Sequence, residues 1–97
     1  MKKPAKLKTR KWDLAEHIKT EEDVVAYLDA ALEDGDPALV AAILGDIARS
    51  KGMAKVAKRT GLGRESLYKT LSKDGNPRLE TFLKVVHALG LKLKTAA

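Results

Sequence analysis

The chain of 97 residues contains no cysteine, so disulfides and thiolate metal sites are excluded and a reducing cytosol suits it. No segment reaches the roughly 20 apolar residues that cross a bilayer. The start, MKKPAKLKTRKW, is charged with no apolar run behind it, so neither a secretory signal nor a membrane anchor is expected, and a cytoplasmic protein is. Catalytic patterns are missing too. His17 and His87 stand alone, there is no His-Glu-x-x-His, no acidic pair matched to a nucleophile and no Gly-x-x-x-x-Gly-Lys loop. Gly61-x-Gly63 lacks the third glycine and the preceding strand of a dinucleotide turn, and Met53 reads as core. No enzymatic activity, cofactor or metal is expected. Internal repeats and low-complexity segments are absent.

What is present is positive charge, unevenly placed. The net charge of +6 favours a polyanionic partner. Residues 1–19 hold seven Lys or Arg against Asp13 and Glu16, residues 20–36 hold seven acids and no base, and residues 37–97 hold twelve bases and four acids. Such separation predicts two faces with different partners. A chain this short makes one small domain with one modest core and no deep pocket.

Helical periodicity runs through most of the chain. Residues 1–11, six of them Lys or Arg, read as a flexible basic arm, and residues 12–97 as a single domain. Order is expected from Trp12, with Asp13 as a cap, Glu16 three positions on, and Leu14 and Ile18 on a short helical face. Thr20 should cap the next helix, whose first turn holds Glu21, Glu22 and Asp23 and whose buried stripe is expected at Val24, Val25, Leu28, Ala31 and Leu32. Gly35 ends it, and Asp36 and Pro37 restart the chain as cap and first helical residue. Leu39, Val40, Ile43, Leu44, Ile47 and Ala48 place the following helix at the centre of the core, with Gly45 permitting a close crossing. After Gly52 comes a helix from Met53. The last helix is expected from Pro77, capped by Asn76, through Leu79, Phe82, Leu83, Val86 and Leu89 to Gly90. Leu91 to Lys94 alternate like a short strand or tail.

Residues 53–71, MAKVAKRTGLGRESLYKTL, carry the functional signal. Ala57 is small where two helices must meet, Gly61 fits a turn needing positive φ, and Leu67 points into the angle, with Val56, Leu62 and Leu71 completing the seam. This is the spacing of a helix-turn-helix, whose second helix presents its first turn to base edges in the major groove. Base readers are expected among Arg64, Glu65, Ser66, Tyr68 and Lys69. Arg64 suits guanine O6 and N7, Glu65 suits cytosine N4, and Lys69 reaches guanine or phosphate. Tyr68 can stack on, or donate to, the duplex. Lys55, Lys58, Arg59 and Lys73 are candidates for phosphate contacts. Each has a plainer reading: Glu65 complementing the helix dipole, Ser66 capping, Tyr68 packing, the lysines forming a solvated face.

From Asp13 to Leu93 the chain resembles the addiction-module antidote proteins, the HigA-like antitoxins of the phage-repressor-like helix-turn-helix group. The likeness is carried by TEEDVVAYLDAAL (20–32), Gly35-Asp36-Pro37, Leu44-Gly45-Asp46-Ile47-Ala48-Arg49, Gly52-Met53, Gly61-Leu62, Glu65-Ser66-Leu67-Tyr68, Gly75-Asn76-Pro77 and Leu89-Gly90-Leu91. The arm before Trp12 lies outside it. The resemblance implies an all-α, five-helix phage-repressor-like domain. It also implies an antitoxin of a type II toxin–antitoxin module that neutralises a RelE/ParE-type toxin by direct binding and, as a dimer on double-stranded operator DNA, represses its own operon. A homodimer also follows from the size of one reader, which covers a single half-site. The last helix with Leu91 and Leu93 is the expected surface, with a frayed terminus as its plain alternative. RelE/ParE-type toxins are usually basic, so the acidic segment and the basic arm are the two candidate toxin contacts. A stand-alone phage-type transcriptional repressor is the alternative function.

Overall fold

The computed structural model describes residues 20–97, which form five α-helices: α1 (Glu21–Asp34), α2 (Pro37–Lys51), α3 (Met53–Thr60), α4 (Arg64–Thr70) and α5 (Leu79–Ala88). The expectations for residues 1–19, including the basic arm and the short helix after Trp12, lie outside the described residues.

Local chemistry sets the first two helices. The Thr20 hydroxyl accepts from the Asp23 amide while the Asp23 carboxylate accepts from the Thr20 amide, each at 3.1 Å, so a complete capping box opens α1. Gly35 closes it at φ 79, where a Cβ would be strained. Asp36 then caps α2 by accepting from the Ala38 amide at 3.0 Å, with Pro37 in the first turn, where its missing N–H costs nothing. Lys51, at the end of α2, reaches back to Glu21 at 2.7 Å and ties the two helices together at the surface.

α2 is the axis of the domain. Every residue from Ala41 to Ala48 is buried, and Ile43, Leu44 and Ile47 join Leu28, Val56, Leu67, Leu71 and Val85 in one core. Gly45 makes the crossing with the end of α4 possible, since a Cβ there would overlap the Leu71 carbonyl oxygen. Among these apolar residues Asp46 is buried as well and accepts from Arg49 one turn on. A carboxylate in the middle of a core helix breaks the usual pattern, and the arginine compensates its charge.

Three expectations need correction. Val25 and Leu32, placed in the buried stripe of α1, are exposed at 54% and 40%, because α1 packs chiefly on α2 and one neighbour covers only the narrow line Val24, Leu28 and Ala31. α5 begins at Leu79 with Arg78 as its N-cap, two residues after the expected Asn76–Pro77 start. The connection must first cross the end of α4, where Gly75 lies so close to the Thr70 carbonyl that a Cβ would collide with it, and the backbone is still extended at Arg78 (φ −70, ψ 160). No strand forms among the described residues. The tail instead folds back through a hydrogen bond from the Leu91 amide to the Val86 carbonyl at 3.1 Å, burying Leu91 and leaving Leu93 outside.

Candidate nucleic-acid interface

The wedge of α3 and α4 is built around Gly61. At φ 77 it ends α3, donating to the Ala57 carbonyl at 2.9 Å, and the chain turns through Leu62 and Gly63 into α4. Thr60 braces the turn: its hydroxyl donates to the Ala57 carbonyl and accepts from the Leu62 amide, both at 3.2 Å. Leu67, 1% exposed, fills the angle against Val56 and Ala57, and Leu71 is fully buried behind it. Neither short helix has a side-chain cap, so packing of this seam holds the angle.

With Leu67 and Leu71 turned inward, helical periodicity turns Arg64, Glu65, Tyr68 and Lys69 outward along one broad face of α4. All four are exposed, as is Ser66 on the flank, so the five expected readers are accessible together. On α3, Met53, Val56 and Ala57 face the core while Lys55, Lys58 and Arg59 share the opposite side. Lys73 is exposed in the connection after α4. Among the described residues no ion pair neutralises Lys55, Lys58, Arg64, Lys69 or Lys73, which leaves the face cationic. Arg59 differs from the other three phosphate candidates. Its Nη1 donates to the Ala88 carbonyl at 3.1 Å, which locks α3 to the end of α5.

Sequence reasoning missed two features of this surface. Arg78 is exposed at the N-cap of α5, in the same connection as Lys73; its position after Pro77 was the available signal. Two open clefts of about 310 and 330 Å³ also meet at Arg59 and Ala88, one bordered by Lys51 and Lys55 and the other by Lys84 and His87. Neither is enclosed by apolar walls, as a small-molecule pocket would be. No group of His, Asp or Glu among the described residues could hold a metal ion. No described helix is long and apolar enough to cross a membrane.

Residues 8–97 match a protein family described as "Probable addiction module antidote protein". The chain belongs to this family. The antidote family match spans α1 to α5 and so includes both the acidic helix and the basic wedge. An uncharacterized protein of Haemophilus influenzae (strain ATCC 51907 / DSM 11121 / KW20 / Rd) is similar to this antidote-family chain, at 42% identity over 83 residues, 86% of each chain. No solved structure matches.

Proposed function

We propose that the chain is the antitoxin of a type II toxin–antitoxin module, of the HigA-like kind, which binds and neutralises a RelE/ParE-type toxin and, as a homodimer in the cytoplasm, represses its own operon by reading operator DNA with α4. Membership of the antidote family supports the antitoxin role. The DNA role is carried by one observation: Arg64, Glu65, Tyr68 and Lys69 stand exposed on a single face of a helix whose other side is locked by Leu67.

Arg64 and Lys69 act at base edges, with Glu65 as acceptor for cytosine N4 and with Ser66 and Tyr68 beside them. Lys55, Lys58 and Lys73 bind phosphates and supply the salt-dependent part of the affinity. Arg59, held at the Ala88 carbonyl, contributes to the same cationic field while bracing the wedge. The toxin contact falls on α1, where Glu22, Asp29 and Glu33 line one side of the exposed Val25 and Leu32, an acidic surface with apolar anchors suited to a basic partner.

Titration of the DNA upstream of the gene tests the reading helix. Arg64→Ala should weaken specific binding by about 2 kcal/mol while leaving the melting temperature unchanged. Unchanged affinity would remove Arg64 from the interface. Co-expression with the neighbouring gene separates the antitoxin from a stand-alone repressor: a small basic protein lethal only without this chain supports the former.

A further inference from the structure

Lys51, Lys55, Arg59, Lys84 and His87 come from three helices to border one groove. Its two clefts, of about 310 and 330 Å³, meet at Arg59 and Ala88, the first edged by α3 and the end of α2, the second by α3 and α5. Neither is lined by a residue of α4, so the groove lies off the face that α4 presents, where α3 packs against α5. Among the described residues no acid lines either cleft. Lys51 and Lys84 are paired with Glu21 and Glu80, at 2.7 and 3.4 Å, but those carboxylates are 68% and 75% exposed, and pairs of that kind hold a lysine only weakly.

Arg59 sets the geometry of the groove. Its Nη1 donates to the Ala88 carbonyl at 3.1 Å, so a backbone group of another helix holds the guanidinium where the clefts join. That bond uses one of the five N–H donors, and the rest belong to the flat fork that grips phosphate or carboxylate oxygens two at a time. A cation fixed before its ligand arrives spares the ordering cost that a free surface lysine pays. Lys55 stands one turn before Arg59 on α3, and on α5 Lys84 stands one turn before Ala88 with His87 beside it, so donors flank the fork at both ends.

The walls select the ligand. Val56 and Ala88 are the only apolar residues of the lining among the described residues, and no aromatic ring offers a base a platform, so a carbon skeleton gains little here. Charge packed densely on a short chain gains most, because it places an anionic group on each side of Arg59 with no apolar spacer to bury. We infer that the groove between α3 and α5 is a binding site for a free oligophosphate, with Arg59 as the bidentate anchor at its centre, Lys51 and Lys55 at one end and Lys84 and His87 at the other. It is a second anion site, bordering the proposed DNA surface at Lys55 and Arg59, and it stands whether or not α4 reads an operator.

The test titrates the isotope-labelled full chain with sodium tripolyphosphate, with sodium sulfate at the same ionic strength as control and thermal melting followed for every variant. Tripolyphosphate should move the amides of residues 55–60 and 84–88 at concentrations where sulfate leaves them in place, and should raise the melting temperature, since it binds the folded groove alone. Lys84→Gln combined with His87→Gln changes two exposed side chains and should weaken binding by about fivefold or more with the fold intact. Arg59→Lys keeps the charge, removes the fork and should weaken binding to a similar degree. Where loss of the bond to Ala88 loosens that variant, the double variant on α5 still decides. Shifts scattered over all the lysines, sulfate acting as strongly, a double variant that binds like wild type, or a hexaglutamate peptide bound as tightly would each overturn the site. Operator duplex separates the two sources of phosphate: it should leave residues 84–88 unmoved, and shifts there would give the groove to the DNA backbone and overturn the free oligophosphate.

Discussion

The two ends of the domain are held together by different physics. α1 and the start of α2 carry their own instructions: a complete capping box, a left-handed glycine stop, an aspartate cap with proline behind it, and acids where the dipole favours them. α3 and α4, with 8 and 7 residues and no side-chain caps, carry almost none and persist because Val56, Ala57, Leu67 and Leu71 are packed against α2. The acidic end is shaped by its sequence neighbours, the basic end by its tertiary ones. The proposed DNA surface thus lies on the pair that depends most on the rest of the fold, which couples its geometry to the core.

The sharpest way to break this contrast is to remove the seam. Leu67→Ala should cost about 3 kcal/mol in denaturant unfolding, because the side chain is buried between three helices and the cavity cannot collapse without moving α4. Operator binding should fall with it. A loss under 1 kcal/mol, well below the range for a buried leucine, would mean the wedge is held by something else.

A second change separates the two ends by partner. Reversing Asp29 and Glu33 to lysine alters only exposed residues of α1, so stability should change by about 0.5 kcal/mol or less and DNA binding should persist. Toxin capture in a pull-down should be lost. Retained capture would take the toxin contact off the acidic helix.

The smallest effect belongs to the cap. Thr20→Ala removes the oxygen that accepts from the Asp23 amide and should lower stability by about 1 kcal/mol with operator affinity unchanged. A comparable loss of DNA binding would show that the two ends are not separable.

The features readable from sequence were those decided within a few residues. Thr20 as a cap, Gly35 with Asp36 and Pro37, and Gly61 between two apolar runs each state their geometry in local chemistry, and the structure holds all three, adding the return bond from the Thr20 amide to the Asp23 carboxylate. The exposure of Val25 and Leu32 was not readable, because their spacing allows a wide apolar face and only the number of neighbours of α1 decides how much is covered. The late start of α5 depends on the path over Thr70, a contact between segments. Asp46 illustrates the same limit, since a charge amid apolar residues gives no sign that the helix is buried on all sides. At the candidate interface, periodicity around Leu67 was enough to place Arg64, Glu65, Ser66, Tyr68 and Lys69 on the exposed side of α4. The engagement of Arg59 with α5 was invisible, because Ala88 lies 29 residues away.

The outward face of α4 is the proposed meeting point of the molecule with duplex DNA. A titration of the isotope-labelled chain with operator duplex, followed by amide chemical shifts, tests this directly. Shifts concentrated at residues 53–73, largest at Arg64, Glu65, Tyr68 and Lys69 and absent from the acidic face of α1, are the predicted result. Shifts centred on α1 while the amides of α4 stay unmoved would contradict it.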